Sequence, residues 1–192
     1  MPKKVLGILG SPCSEGNTAT LLDAVLAGAR DAGAAAKRVN ISELDIAPCD
    51  ACRECDSIGQ CVHLKDDMRL IYNDIRKMDA IVLGSPIYFM GVSAQLKTMI
   101  DRCQCFWVER YVLHNRPYKG REHPKGLFVA TAGSPKREIF EPAIHCVKAF
   151  FAAIDYAYAG EVLLGNTDDP EIGTMRIPVI ERAFKTGREL VR

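Results

Sequence analysis

KVLGILGSPCSEGNT, residues 4–18, starts as an apolar run, breaks at Gly10 and leads through a polar loop into TATLLDAVLAGARDAGA (18–34). A short apolar run closed by glycine reads as a buried strand, and the periodic run after it as an amphipathic helix. The same unit recurs along the chain. AKRVNI (36–41), AIVLGS (80–85), GLFVATAG (126–133) and AGEVLLG (159–165) read as further strands. DDMRLIYNDIRKMD (66–79), SAQLKTMIDRCQCFW (93–107), PAIHCVKAFFAAIDYA (142–157) and VIERAFKTGRELVR (179–192) read as helices. Five β–α units predict a mainly parallel sheet covered on both faces, an α/β three-layer doubly wound fold with strand order 2-1-3-4-5. Asn17 or Thr18, Asp66 and Ser93 are expected to cap helices, and Pro142 and Pro178 to occupy first turns.

The chain has 192 residues, 48% hydrophobic and 26% charged, which suits one domain over 1–192 with one sizeable core. Lys+Arg 25 against Asp+Glu 24 leaves a formal charge of +1, too small a field to expect nucleic acid or a membrane surface as partner. The apolar run at the N-terminus meets Gly10 and Ser11 too early for a signal peptide or a spanning helix, so a cytoplasmic protein is expected. One segment is longer than a connection requires: FWVERYVLHNRPYKGREHPK, about 106–125, aromatic and mostly basic.

In such sheets ligands bind beyond the carboxyl ends of the strands, where the strand order reverses. Three loops lie there. In the first, GSPCSEGNT (10–18), glycines allow close approach, while Ser11, Ser14, Asn17 and Thr18 offer donors at a helix N-terminus, which favours an anion. Gly7, Gly10 and Gly16 miss the dinucleotide-binding spacing, and a low-molecular-weight phosphatase would need Arg where Ala19 follows Cys13. The second, SPIYFMGVSAQLK (85–97), stiffens at Pro86 and offers Tyr88, Phe89 and Met90 as flat or polarizable surface, with Gly91 giving access. A phosphate cradle beside an aromatic surface describes the two ends of flavin mononucleotide (FMN). The third loop, TAGSP (131–135), supplies small residues, Ala132 and Gly133 among them, whose N–H groups would face the ring carbonyls.

PCDACRECDSIGQC (48–61) packs Cys49, Cys52, Cys55 and Cys61 into one loop at 48–62. Reducing cytosol disfavours a disulfide staple, which leaves a metal site, redox-active thiols or an inert loop. Tetrahedral zinc usually joins two separated knuckles, whereas here two CxxC turns share the middle cysteine, as in the C-x2-C-x2-C run of ferredoxins. Cys13, Cys103, Cys105 and Cys146 are scattered and read as packing residues, and His63 is placed to tune the loop through a hydrogen bond.

GSPxxxGNT, PCxxCxxC with a following GxC, DDM, and SPIYFxGxSAQLKxxIDR together resemble the iron-sulfur flavoproteins, a branch of the NADPH-dependent FMN reductase group with a flavodoxin-like fold. The resemblance is dense over residues 3–105. It implies that Ser11, Ser14, Gly16, Asn17 and Thr18 take the FMN phosphate, and that Pro86, Ile87, Tyr88, Phe89, Met90 and Gly91 flank the ring. It implies also that Cys49, Cys52, Cys55 and Cys61 ligate a 4Fe-4S cluster. Family members commonly carry Arg where Cys13 stands, so the phosphate contact differs here.

The implied function is electron transfer between a carrier, ferredoxin or NAD(P)H, and an acceptor, with no catalytic acid or base. Strand order 2-1-3-4-5 separates the cysteine loop from the ring, so a homodimer or homotetramer, in which one subunit's cluster faces another's flavin, is expected. Phe106, Trp107, Tyr111 and Tyr118 are candidates for that contact. Two alternatives stand beside it: an NAD(P)H-dependent FMN or quinone reductase without a functional cluster, and an iron- or redox-sensing binding module.

Overall fold

The computed structural model describes residues 1–115, 122–169 and 172–192. Five parallel strands, β1 (Lys4–Leu9), β2 (Ala35–Asn40), β3 (Ala80–Pro86), β4 (Lys125–Thr131) and β5 (Ala157–Leu164), form one sheet in the order β2-β1-β3-β4-β5. The expected flavodoxin-like order is observed. The alternation of side chains along a strand divides the core in two. Val5, Leu9, Val82, Leu127 and Val129 face α1 (Asn17–Asp31) and α7 (Ile172–Leu190). Leu6, Ile8, Ile81, Leu83 and Phe128 face α3 (Met68–Ile75), α4 (Ala94–Arg102) and α6 (Glu141–Ala153). Among the described residues no helix is long and apolar enough to cross a membrane.

Three local expectations are revised. The N-cap of α1 is Gly16, with no side-chain hydrogen bond, because the Thr18 hydroxyl is engaged across the sheet with Thr131 at 2.7 Å. Pro178 lies inside α7, which begins upstream at Ile172; the proline is exposed, where water can satisfy the carbonyl it leaves unbonded. The 106–125 segment begins as helix, with α5 at Gln104–Trp107 and a wider turn at Val108–Val112. Cys105, Phe106 and Val108 are buried and draw its first half onto the core. Arg110 ties it to the Ala152 carbonyl and to Asp155 at 2.9 Å. Tyr118 lies outside the described residues.

Ser93 caps α4, accepting from Leu96 N–H, and Pro142 stands in the first turn of α6. Between α1 and α7 two glycines permit a crossing closer than side chains would allow. A Cβ on Gly28 would stand 1.9 Å from Phe184 O, and one on Gly187 would stand 1.9 Å from Val25 O. Neither backbone atom can move without separating the helices. Gly187→Ala is therefore expected to destabilise the fold by about 2–3 kcal/mol through overpacking, seen as a lower urea midpoint at unchanged slope. An unchanged midpoint would show that the crossing is looser than described.

Candidate functional site

The first loop leaves β1 at Gly10, whose N–H donates to Gly84 O at 2.7 Å and whose carbonyl accepts from the buried Ser93 hydroxyl at 2.5 Å. A Cβ on Gly10 would meet Leu96 Cβ at 2.7 Å, so only glycine lets the loop lie this close to α4. Ser11 is buried and its oxygen accepts from Cys13 N–H at 3.1 Å. Cys13, expected to pack in the core, is exposed beside Ser14 on this polar loop, and Gly16 and Asn17 are half-buried at the mouth of α1. That helix begins without a side-chain cap and without an acidic residue in its first turn. Its leading N–H groups thus have no capping side chain, and the positive end of the helix dipole lies behind them.

The second loop makes a tight hairpin. Tyr88 N–H donates to Gly91 O at 3.0 Å and Gly91 N–H returns to Tyr88 O at 2.9 Å. The two residues between them, Phe89 at φ 48° and Met90 at φ 64°, are both left-handed. Such turns normally hold Asn and Gly, and bulky side chains in that region are strained. The strain presents Tyr88, Phe89 and Met90 to solvent, with Phe89 fully exposed. Pro86 ends β3 half-buried, and Ile87 N–H donates to Thr131 O at 2.8 Å. With the Thr18–Thr131 hydroxyl pair, this joins all three loops at the end of β4.

The third loop is narrower in function than expected. Ala132 N–H already donates to Leu164 O at 2.9 Å, and its carbonyl accepts from Thr167 at 3.0 Å. It cannot also serve a ring carbonyl. Gly133 packs under Asp168, whose carboxylate would stand 2.0 Å from an added Cβ.

Cys49, Cys52, Cys55 and Cys61 line a single cavity of about 340 Å³, together with His63, Arg102, Gln104 and Cys105. All eight cysteines are free; Cys49 and Cys52 are exposed, Cys55 and Cys61 half-buried. Ala51 at φ 56° and Arg53 at φ 64° turn the chain sharply between cysteines. Cys55 starts the short α2 (Cys55–Ile58), which ends at left-handed Gly59, wedged against Glu109 and Leu113. His63 Nε2 stands 3.2 Å from Asp50 Oδ2, and the ligand atoms of Asp50, Cys52 and His63 lie within 4.8 Å of one another. Burial and the neighbouring Asp56, Cys52 and Cys61 push the Cys55 thiol up, and a positive charge nearby would favour its thiolate.

That charge is near. Arg102, at the end of α4 and 3% exposed, donates from Nη2 to Cys61 Sγ at 3.7 Å and to His63 O at 2.6 Å. Its Nη1 donates to Ala47 O at 2.8 Å and pairs with Asp66 Oδ2 at 2.5 Å. Burial alone would raise the Asp66 carboxyl, but Arg102 and the N–H groups of Ala47 and Met68 hold it below its ordinary value. Asp67 accepts from Asp45 N–H at 3.0 Å, so the two acids of DDM clamp the chain entering the cysteine loop. Tyr72 OH donates to Arg102 O at 2.8 Å. Cys105, a wall of the same cavity, has its thiol pushed up to about 11 by burial. Cys105 packs in the core as expected and also walls the cavity. In the sequence Asp66 reads as a helix cap, and Tyr72 and Arg102 are given no role. A buried arginine closing an otherwise amphipathic helix, in IDR, is the signal that could have found it.

A model of the NADPH-dependent FMN reductase family matches residues 3–166. An iron-sulfur flavoprotein of Archaeoglobus fulgidus is 32% identical over 170 residues, 88% of this chain and 74% of its own. One of Methanocaldococcus jannaschii is 40% identical over 99 residues, covering 52% and 51% of the two chains. One of Methanosarcina thermophila is 35% identical over 113 residues, 59% of each. The matched stretch thus spans about three quarters of the first relative and only half to three fifths of the other two. An NAD(P)H:quinone oxidoreductase from Methanothermobacter marburgensis superposes with TM-score 0.72 at 18% identity, covering 100% of this chain and 98% of the other. An FMN-dependent NADH-azoreductase from Bacillus anthracis, solved with FMN, superposes at 0.71 and 12% identity, covering 99% and 100%. At such identities these two structures share the fold.

The hairpin strain carries its own test. Phe89→Gly should relieve one left-handed side chain and stabilise the protein by about 1 kcal/mol, measured by urea denaturation. A loss of stability instead would mean that Phe89 is held by contacts outweighing its backbone cost.

Proposed function

The chain belongs to the NADPH-dependent FMN reductase family, flavin-dependent oxidoreductases of flavodoxin-like fold, and from that premise we propose how its two candidate sites work together. The first two loops, braced by Thr131 of the third, hold FMN, and Cys49, Cys52, Cys55 and Cys61 hold a 4Fe-4S cluster. The protein passes electrons between a carrier, NAD(P)H or ferredoxin, and an acceptor. The carrying observation is that four free thiols in a CxxCxxC loop line one cavity with a buried guanidinium. The donor set fits an anionic metal centre that needs both soft ligands and nearby positive charge. The uncapped start of α1 fits a phosphate, and the exposed surface of Tyr88, Phe89 and Met90 fits a flat heterocycle.

When bound, FMN supplies two-electron exchange with a nicotinamide and the cluster one-electron exchange, so that together they couple the two kinds of carrier. The protein's part is to bind and orient. First-turn amides of α1 with the Ser11 and Ser14 hydroxyls hold the phosphate, Thr18 and Thr131 fix the mouth of the helix, and the hairpin shields the ring face. Free thiols throughout suit a reducing, cytoplasmic setting.

A second reading keeps FMN and discards the cluster, and the exposure of Cys49 and Cys52 favours it. Iron, sulfide and flavin assays on one anaerobically reconstituted sample separate the two. Cys52→Ala should lose iron and sulfide while retaining flavin, whereas Cys105→Ser should keep all three. A wild-type chain that takes up flavin but no iron supports the second reading and sinks the first.

The flavin-side and cysteine-side anchors of α4 are nine residues apart, about 14 Å along a helix. The support for a homo-oligomer, in which one subunit's cluster serves another's flavin, is the strand order: the cysteine loop follows β2 and the ring-side hairpin follows β3, with β1 between them. Mixing Cys52→Ala with a flavin-deficient Gly16→Val, Asn17→Ala double variant should restore flavin-to-cluster transfer. If subunits exchange and no transfer returns, the relay runs within one chain.

A further inference from the structure

Arg102 is the least exposed charged side chain at either site, and its environment is not that of an ordinary structural arginine. Its two terminal nitrogens bind two carbonyls, one carboxylate and one cysteine sulfur on the two sides of the cysteine loop. Nε, buried as well, has no acceptor among the described residues. Buried arginine donors are rarely left unmatched, and the side chain forms part of the wall of the cavity that the four cysteines share. Cys61 is the cysteine it touches, and Asp66 partly neutralises it from the other side.

We propose that the Arg102 guanidinium is the fixed positive charge of the cysteine site, a positioning residue that holds Cys61 and raises the midpoint potential of an iron-sulfur centre on the four thiolates. The inference rests on the cluster reading above. A centre ligated by four thiolates gains one more negative charge when it accepts one electron from its carrier, and a permanent cation 3.7 Å from a ligand sulfur favours that reduced form. Arginine cannot release its proton to escape the site, so its charge is present in both redox states. Asp66 then acts as a counterweight: it fixes the guanidinium and offsets part of its field.

A purely structural role and a charge-setting role differ in sign. With full-length protein reconstituted with iron and sulfide, redox titrations followed by electron paramagnetic resonance give the midpoint of each variant alongside its iron content. Arg102→Gln should lower the reduced-to-oxidised ratio about tenfold at the wild-type midpoint, a shift of about 59 mV for a one-electron couple. Asp66→Asn should raise that ratio, by about threefold, since the cation is kept and its counter-charge removed. If Arg102→Gln cannot hold a cluster, Asp66→Asn decides alone. Shifts in the same direction, or an unmoved midpoint in Asp66→Asn, overturn the proposal while leaving the four-cysteine ligation standing. A wild type that takes up no iron overturns both.

Discussion

The buried hydroxyl of Ser93 caps α4 while donating to the carbonyl of Gly10, and through it one short helix is locked to the loop that leaves the first strand. Everything at the ligand end of the sheet follows from that contact. Gly10 must lack a side chain because Leu96, one turn into α4, lies against it. With Gly10 fixed, Ser11 and the mouth of α1 are fixed, and the Thr18–Thr131 hydroxyl pair carries the constraint on to β4. The other end of α4 delivers Arg102 to the cysteine loop. The candidate anion loop and the thiol cavity thus meet the two ends of one helix.

Local costs are concentrated where ligands would supply compensation. Phe89 and Met90 hold left-handed backbone with bulky side chains in open solvent, a cost set against the two hairpin hydrogen bonds between Tyr88 and Gly91. Cys61 holds its sulfur beside a cation that is already paired with Asp66. The first turn of α1 lacks both a capping side chain and an acid. Elsewhere strand faces alternate into two apolar cores and glycines appear in helices where helices touch, while Asp155 and Asn166 carry left-handed backbone outside both sites.

Much of this was legible in the chain. Short apolar runs alternating with amphipathic ones specified the parallel sheet, because strands buried on both faces lose the polar alternation of exposed ones. Loop glycines and serines pointed to the anion cradle, and Ser93 was readable as a cap. Less was legible where a residue's partner lies far along the sequence. Asp66 looked like a cap because its own neighbours form a helix, yet its main contacts are Ala47 and Arg102, the latter 36 positions away. Pro178 looked like a helix start because proline cannot donate, yet exposure lets the helix tolerate it. The aromatic segment after α4 looked like a surface insertion, yet the burial of Phe106 and Val108 winds its first half onto the core.

By itself, the sequence determined the periodicities, the turn chemistry and the clustering of four thiols, because each of these acts over a few neighbouring residues. Those are enough to settle the layers and to point at three loops and one cysteine turn. Only the tertiary structure decided which buried charge faces the thiols, which amides are already taken, and which helix links the two candidate sites. Such matters depend on through-space distances of a few ångströms between segments tens of residues apart. Ala132 illustrates the difference: its small side chain suggested an available N–H, and only the packing of β5 against β4 gave that N–H to Leu164.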